Sequence, residues 1–245
     1  MSTLPDRTPD VAEYGAERNG QRQQLNRRVF MQLVVIESTS ELGVSEFQRG
    51  LADSLERRGA AAVIYEDLHH PSGLGILGWS ENPTDLATRL RPALGDHAAG
   101  LRVRPEMGML GRSYSSGFED DLEYWLLRRP VETVLNEEWN WAVWYPLRRT
   151  PQFERLEARE KGSIMREHAV IGKAYGDANL AHDVRLACHG LDANDNDFVI
   201  GLVGKELHPL SHVVQSMRRT RQTAEYLTNL GPFFVGRAVW RSAGR

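Results

Sequence analysis

In the stretch "SIMREHAVIGKAYG" (163–176), Met165, His168, Ile171 and Gly172 recur at spacings of three and four. On a helix they lie on related faces, which carry a thioether, an imidazole and a position with no side chain. A flat cofactor approaching closely explains that combination, with His168 as an axial ligand to iron and Met165 and Gly172 against the ring. A lone helix histidine also serves as a satisfied structural residue, and spacing leaves both readings open.

The stretch "NWAVWYPLRR" (140–149) sets Trp141, Trp144 and Tyr145 directly before Arg148 and Arg149. A porphyrin needs flat apolar walls and cationic partners for its carboxylates, and this strand offers both. Surface ion pairs at a strand end are the plainer account of the arginines. Zinc is the weaker metal: His208 and His212 form an i, i+4 pair, but "HPLSH" lacks the glutamate of a zinc hydrolase helix. His69 and His70, before Pro71, read as an exposed turn. "GLGILG" (73–78) has the wrong spacing for a dinucleotide fingerprint, and "GLD" (190–192) has no nucleophile elbow beside it.

These residues need elements to position them. "VFMQLVVIES" (29–38) reads as a strand, and "SEFQRGLADSLERRG" (45–59) as a helix with Phe47, Leu51 and Leu55 on one face. Strands at 60–68 and 72–80, a helix at 82–94 and an extended segment at 100–116 complete one β-α-β-β-α-β order. The same order recurs as a strand at 139–147, a mostly helical 150–176, strands at 183–191 and 197–204, a helix at 207–227 and a strand at 232–240. The expected fold is therefore α+β: two ferredoxin-like (β-α-β-β-α-β) domains with antiparallel sheets packed together, of dimeric α+β barrel type. The expected boundaries are a flexible N-terminal segment 1–28, a first domain 29–116, a linker 117–138 and a second domain 139–245.

Composition narrows the function classes. The 245 residues carry a formal net charge of −3, so a general nucleic-acid binder with a net basic stripe is not expected. Cys188 is the single cysteine, which excludes an intrachain disulfide and any Cys-based metal cluster and fits a reducing, cytoplasmic setting. No apolar run approaches the length of a membrane span, and the polar N-terminus does not read as a signal peptide.

Taken in order, "LGRSYS" (110–115), "YP" followed by basic residues (145–149), "MREHAVIGKAYG" (165–176), "GLD…DF" (190–198) and "GPFFVG" (231–236) resemble the chlorite dismutase family, which includes the coproheme decarboxylases. The resemblance covers about residues 30–240. It implies a haem site in the C-terminal half, with His168 as proximal iron ligand, and a homo-oligomer, a pentamer at this length. It places Arg112, Tyr114, Arg148, Arg149 and Arg218 near the positions that contact propionates. Arg185 takes the distal position, arginine in chlorite dismutases and glutamine in many decarboxylases. His182 becomes the distal residue if the alignment shifts. Tyr145 takes the place of the decarboxylases' redox-active tyrosine. The implied cofactor is haem b, with coproheme as substrate and cofactor in the alternative. The implied activity is an oxidoreductase acting on a small anionic or peroxidic oxidant, by chlorite-dismutase-like or peroxidase-like chemistry. Coproheme decarboxylation is the alternative, and a non-catalytic haem- or partner-binding protein is the third reading. A carboxylate or carbonyl is expected on the second nitrogen of His168, with Glu206 a candidate.

Overall fold

The computed structural model describes residues 8–41 and 43–243. The β-branched run expected at 29–38 forms β3 (Phe30–Ser38), preceded by β1 (Glu13–Arg18) and β2 (Gln21–Leu25). Helix α1 (Val44–Arg57) follows and buries Phe47, Leu51 and Leu55 as its spacing requires. Strands β4 (Ala62–Asp67) and β5 (Gly73–Ser80) lead into a π-helical turn at Leu86–Leu90 and α2 (Arg91–Gly95). Then come β6 (Leu101–Val103), β7 (Met109–Ser113), a second π-helical turn at Tyr124–Arg128 and α3 (Arg129–Leu135). The second half comprises β8 (Trp141–Arg149), α4 (Pro151–Glu154), α5 (Ala158–Asp177), β9 (His182–Ala187) and β10 (Phe198–Gly204). It closes with α6 (Leu207–Met217), α7 (Arg221–Glu225), β11 (Leu227–Leu230) and β12 (Phe234–Arg241).

The expectation of two domains with separate sheets, packed together as a dimeric α+β barrel, is corrected. Strands β3 to β12 belong to one ten-stranded sheet in a single α+β fold. β4 hydrogen-bonds to β12 and β7 to β9, so strands from both sequence halves join in one ladder. β8 takes β10 along one edge, and β12 and then β11 along the other. The physical reason is that a ferredoxin-like half leaves strand edges with free N–H and C=O groups, and here the edges of one half satisfy those of the other.

One face of the sheet converges on a common core that includes Met31, Leu33, Tyr65, Trp144, Val184 and Phe234. Residues 117–138, expected as a linker, insert Leu122, Leu126, Leu127 and Val134 into this core. The opposite face is covered by α1 and α2 over the first half, and by α5 and α6 over the second. Part of the expected flexible segment 1–28 is a hairpin: β1 pairs with β2 across Asn19 and Gly20, at φ 54° and 77°, the turn conformation Asn-Gly favours. Residues 1–7 of that segment lie outside the described residues.

Candidate functional site

Strand parity and register assemble the site. Successive side chains of a strand alternate faces, so Val143, Tyr145, Leu147 and Arg149 of β8 share the face turned toward α5. Tyr145 lies opposite Ile200, and Ile200 opposite Arg185, so these three form one row across β8, β10 and β9. The next row is Leu147, Phe198, Ala187 and Arg112. At the spacing of adjacent strands, the backbones of Tyr145 and Arg185 are about 10 Å apart.

His168 is half-buried on α5, and its Nδ1 lies 3.0 Å from Thr220 Oγ1. Thr220, nearly fully buried, also lies 2.8 Å from the Met217 carbonyl and caps α7 by accepting from the Thr223 N–H. Burial, reinforced by the positive charge of Arg149 and opposed by Glu167, lowers the His168 pKa to about 4. The ring is therefore neutral at pH 7. Among the described residues its Nε2 has no hydrogen-bond partner. The carboxylate or carbonyl expected on Nδ1 is replaced by a hydroxyl, and Glu206 stands exposed at the start of α6.

Arg149 lies between two aromatic rings, 4.5 Å from the Phe153 centroid and 4.4 Å from that of Phe198. Its Nη2 lies 3.4 Å from Met165 Sδ. Among the described residues it has no ion-pair partner, and its buried Nε has no hydrogen-bond acceptor. Burial lowers its pKa from the ordinary arginine value. A guanidinium fixed by aromatic faces and lacking a counter-ion is ready to receive a carboxylate.

Arg185 carries a different constraint. Asp183 Oδ2 lies 3.0 Å from its Nε, while Asp183 Oδ1 accepts from Arg129 Nη2 at 2.6 Å. Burial alone would raise the Asp183 carboxyl, but Arg185 and Arg129 outweigh it and hold it below the ordinary carboxylate value. Both arginines lie over the Trp125 ring, at 4.5 Å for Arg129 and 5.8 Å for Arg185. Pairing through Nε leaves the two Nη groups of Arg185 for another partner.

Tyr145 is buried and stacked on Phe233 with centroids 4.8 Å apart. Its phenol pKa is pushed up, first by burial and then by Asp183, with Arg218 opposing. Tyr114 packs against Phe198 at 5.3 Å, and its pKa too is raised by burial. Gly172 leaves room: a Cβ there would meet only Met217 Cε, at 3.8 Å.

Other expected residues are placed elsewhere or are already engaged. Trp144 is fully buried on the opposite face of β8, where its ring fills the space left by Gly201, so it cannot wall a ligand beside His168. A Cβ on Gly201 would come within 2.5 Å of that ring. Arg148, also on the opposite face, donates from Nε to the Asp195 carbonyl at 2.6 Å and pairs with the Asp195 carboxylate, closing the 188–197 loop. Arg112 lies on the site face but pairs with Glu13 of the hairpin at 2.8 Å. Arg218 is exposed at the end of α6. His182 alternates to the core side of β9, away from the face that carries Arg185, stacks on Trp139 at 3.5 Å and has Nε2 2.8 Å from Asn179 Oδ1. His212 contacts the Tyr175 hydroxyl, and among the described residues no cluster of three or more His, Cys, Asp or Glu can hold a metal ion.

The residues present fit a haem on three grounds: a neutral imidazole with a free Nε2, a buried arginine nitrogen without an acceptor, and a glycine cradle on the same helix. Thr220, Asp183, Arg129 and Trp125 were not found by sequence reasoning. Thr220, directly ahead of α7, is a residue type favoured at a helix N-cap, and that signal points to the first.

Fold and site together define an α+β protein whose sheet and one long helix enclose a face bearing a histidine and arginines. The family model for chlorite dismutase matches residues 81–239, and the chain belongs to that family. Among solved structures it is similar to a haem-binding protein from Thermus thermophilus, with 19% identity and a TM-score of 0.69, covering 87% of this chain and 92% of that one. It is similar also to a variant chlorite dismutase from Candidatus Nitrospira defluvii in complex with cyanide, with 15% identity, a TM-score of 0.67 and coverage of 88% and 92%. The chlorite dismutase of the same organism in complex with imidazole gives 13% identity, a TM-score of 0.64 and coverage of 88% and 92%. No curated protein matches the sequence. Among the described residues no helix is long and apolar enough to cross a membrane.

Proposed function

We propose that this protein binds haem b through His168 Nε2 and acts as a haem-dependent oxidoreductase on a small anionic or peroxidic oxidant, by chlorite-dismutase-like or peroxidase-like chemistry. The observation that carries the reading is the neutral His168 with a free Nε2, facing a sheet surface that offers Arg149 without a counter-ion. When bound, the iron supplies the redox centre at which an O–Cl or O–O bond is broken. The chain's own residues do the rest. Met165 and Gly172 lie against the ring, and Arg149 accepts a propionate. Tyr114 borders the same space beside Phe198, and Arg218, exposed at the end of α6 with its charge felt at Tyr145, is a further candidate for a propionate. The Nη groups of Arg185 hold the anionic oxidant and stabilise charge as the bond breaks, and Asp183 fixes their direction. Burial of Tyr145 keeps its phenol protonated and excludes water on that side.

A second reading, peroxide-dependent decarboxylation with coproheme as substrate and cofactor, is favoured by one observation. Tyr145 is on the site face, in the same cross-strand row as Arg185. There it would be the residue that passes an electron. The assembly we propose is the family's homopentamer, and the compartment is the cytoplasm. Light scattering that gives a monomer mass contradicts the assembly.

The reaction is tested by adding chlorite, then peroxide, to haem-loaded wild type and Arg185→Ala while following oxygen release. A parallel sample receives coproheme and peroxide, with product masses read for lost carboxyl groups in wild type and Tyr145→Phe. Oxygen release that depends on Arg185 supports the first reading, and decarboxylation that depends on Tyr145 replaces it with the second. Neither, with haem bound, contradicts both reactions and leaves a haem-binding family member acting on another substrate or on none.

A further inference from the structure

The Thr220 hydroxyl has three neighbours within hydrogen-bond reach, the Met217 carbonyl at 2.8 Å, His168 Nδ1 at 3.0 Å and Thr223 Oγ1 at 3.4 Å. The Met217 carbonyl is the nearest of them and can only accept, so we assign the hydroxyl proton to it, beside the Thr220 N–H that the same carbonyl accepts at 3.0 Å. Oγ1 then has only lone pairs left for His168, 3.0 Å away, so Nδ1 is the protonated nitrogen and donates. The Thr223 N–H also donates to Oγ1, which fixes the oxygen from a third side. Glu167, the carboxylate next to His168 in sequence, is engaged elsewhere: its Oε2 accepts from the Arg221 N–H at 3.0 Å.

We infer that Thr220 is a positioning residue that locks His168 in the Nδ1–H tautomer and presents Nε2 as a neutral imidazole ligand, with a hydroxyl where a carboxylate would add imidazolate character. This rests on the haem reading for its effect on iron, but the tautomer itself is a property of the protein without haem. A ligand histidine whose second nitrogen donates to a carboxylate is more basic than one that donates to a neutral oxygen. Thr220 would therefore make His168 a weakly donating ligand to a bound haem, whose reduction potential would lie above that given by a carboxylate-paired histidine.

The test compares Thr220→Ser, Thr220→Asp and Thr220→Val. Serine and aspartate both keep the cap of α7, so a merely structural role predicts that these two behave alike. In the haem-free protein, nitrogen NMR of the His168 ring should show Nδ1–H in wild type and Thr220→Ser, and a mixture of tautomers in Thr220→Val. In the ferrous haem-loaded protein, Thr220→Asp should raise the iron–histidine stretching frequency and lower the reduction potential, with Thr220→Ser matching wild type. Haem affinity should fall about tenfold in Thr220→Val and return in Thr220→Ser. The inference is overturned if wild type carries the proton on Nε2, or if Ser and Asp give the same stretch and potential. If wild type shows the Nδ1–H tautomer but binds no haem, the haem reading fails and the tautomer assignment stands.

Discussion

Helices α1 and α5 follow the first strand of each repeated β-α-β-β-α-β order, and they treat the sheet beneath them in opposite ways. α1 buries five of its 14 residues, Phe47, Leu51, Ala52, Ser54 and Leu55, and seals its half of the sheet. α5 is longer, at 20 residues, yet buries only Ile164. Below α1 the sheet presents Ile36, Ile64, Leu74 and Ile76, an ordinary apolar layer. Below α5 it presents Tyr145, Phe198, Arg149, Arg185 and Asp183. A helix that buries one side chain over about five turns gains little from packing, so the second half gives up stability that the first half keeps. The difference separates a supporting half from a ligand-receiving half.

The largest expected effects break the supporting side of that comparison. Trp144→Ala should destabilise by about 3–5 kcal/mol, because the ring fills the surface above Gly201, and Leu51→Ala on α1 by about 2–5 kcal/mol. Chemical denaturation should leave the slope unchanged and move the midpoint. Losses below about 1 kcal/mol would mean that the common core and the α1 layer are not the supporting part.

Next in size is a pH effect at His168. Its folded pKa, about 4, lies below the ordinary histidine value of about 6.5, so the unfolded chain binds the proton first. Stability is full above about pH 6.5, falls as the pH drops toward 4 and levels off below it. The histidine's share is on the order of 2 kcal/mol after allowance for solvent at a half-buried ring. Haem-free His168→Gln should lack that share, measured as the difference between the two stability–pH curves.

Asp183→Asn should cost about 1–2 kcal/mol, since two arginines lose their shared partner in a partly exposed site. It should also free Arg185, so that haem-loaded protein shows altered affinity for cyanide or fluoride while haem binding stays as in wild type. The smallest effect is on α5: Val170→Ala, at a position 64% exposed, should change stability by no more than about 0.5 kcal/mol. A larger loss would contradict the view that this helix is loosely held.

Much of this was legible in the sequence, for identifiable reasons. β3, α1 and β5 were visible because an apolar period of two or of 3.6 says which face is buried. Period says nothing of which strand hydrogen-bonds to which, so the β4–β12 and β7–β9 pairings that fuse the halves into one sheet stayed hidden. β8 is apolar on both faces, and this concealed its parity: Trp144 and Arg148 turned out to face away from Tyr145 and Arg149. Asn19-Gly20 carried a hairpin signal, but the polar strands around it masked the signal. The partner of His168 was expected to be a carboxylate because of ligand chemistry, and only tertiary placement brings Thr220, 52 residues away, to the ring.

The most direct test of the account is a haem titration of wild type beside His168→Ala and Gly172→Leu, read at the Soret band. The account predicts a stoichiometric Soret band with a histidine-ligated spectrum in wild type, a shifted and weakened band in His168→Ala, and loss of binding in Gly172→Leu, which fills the cradle without touching the ligand. Haem that binds all three proteins with the same spectrum and affinity would contradict it.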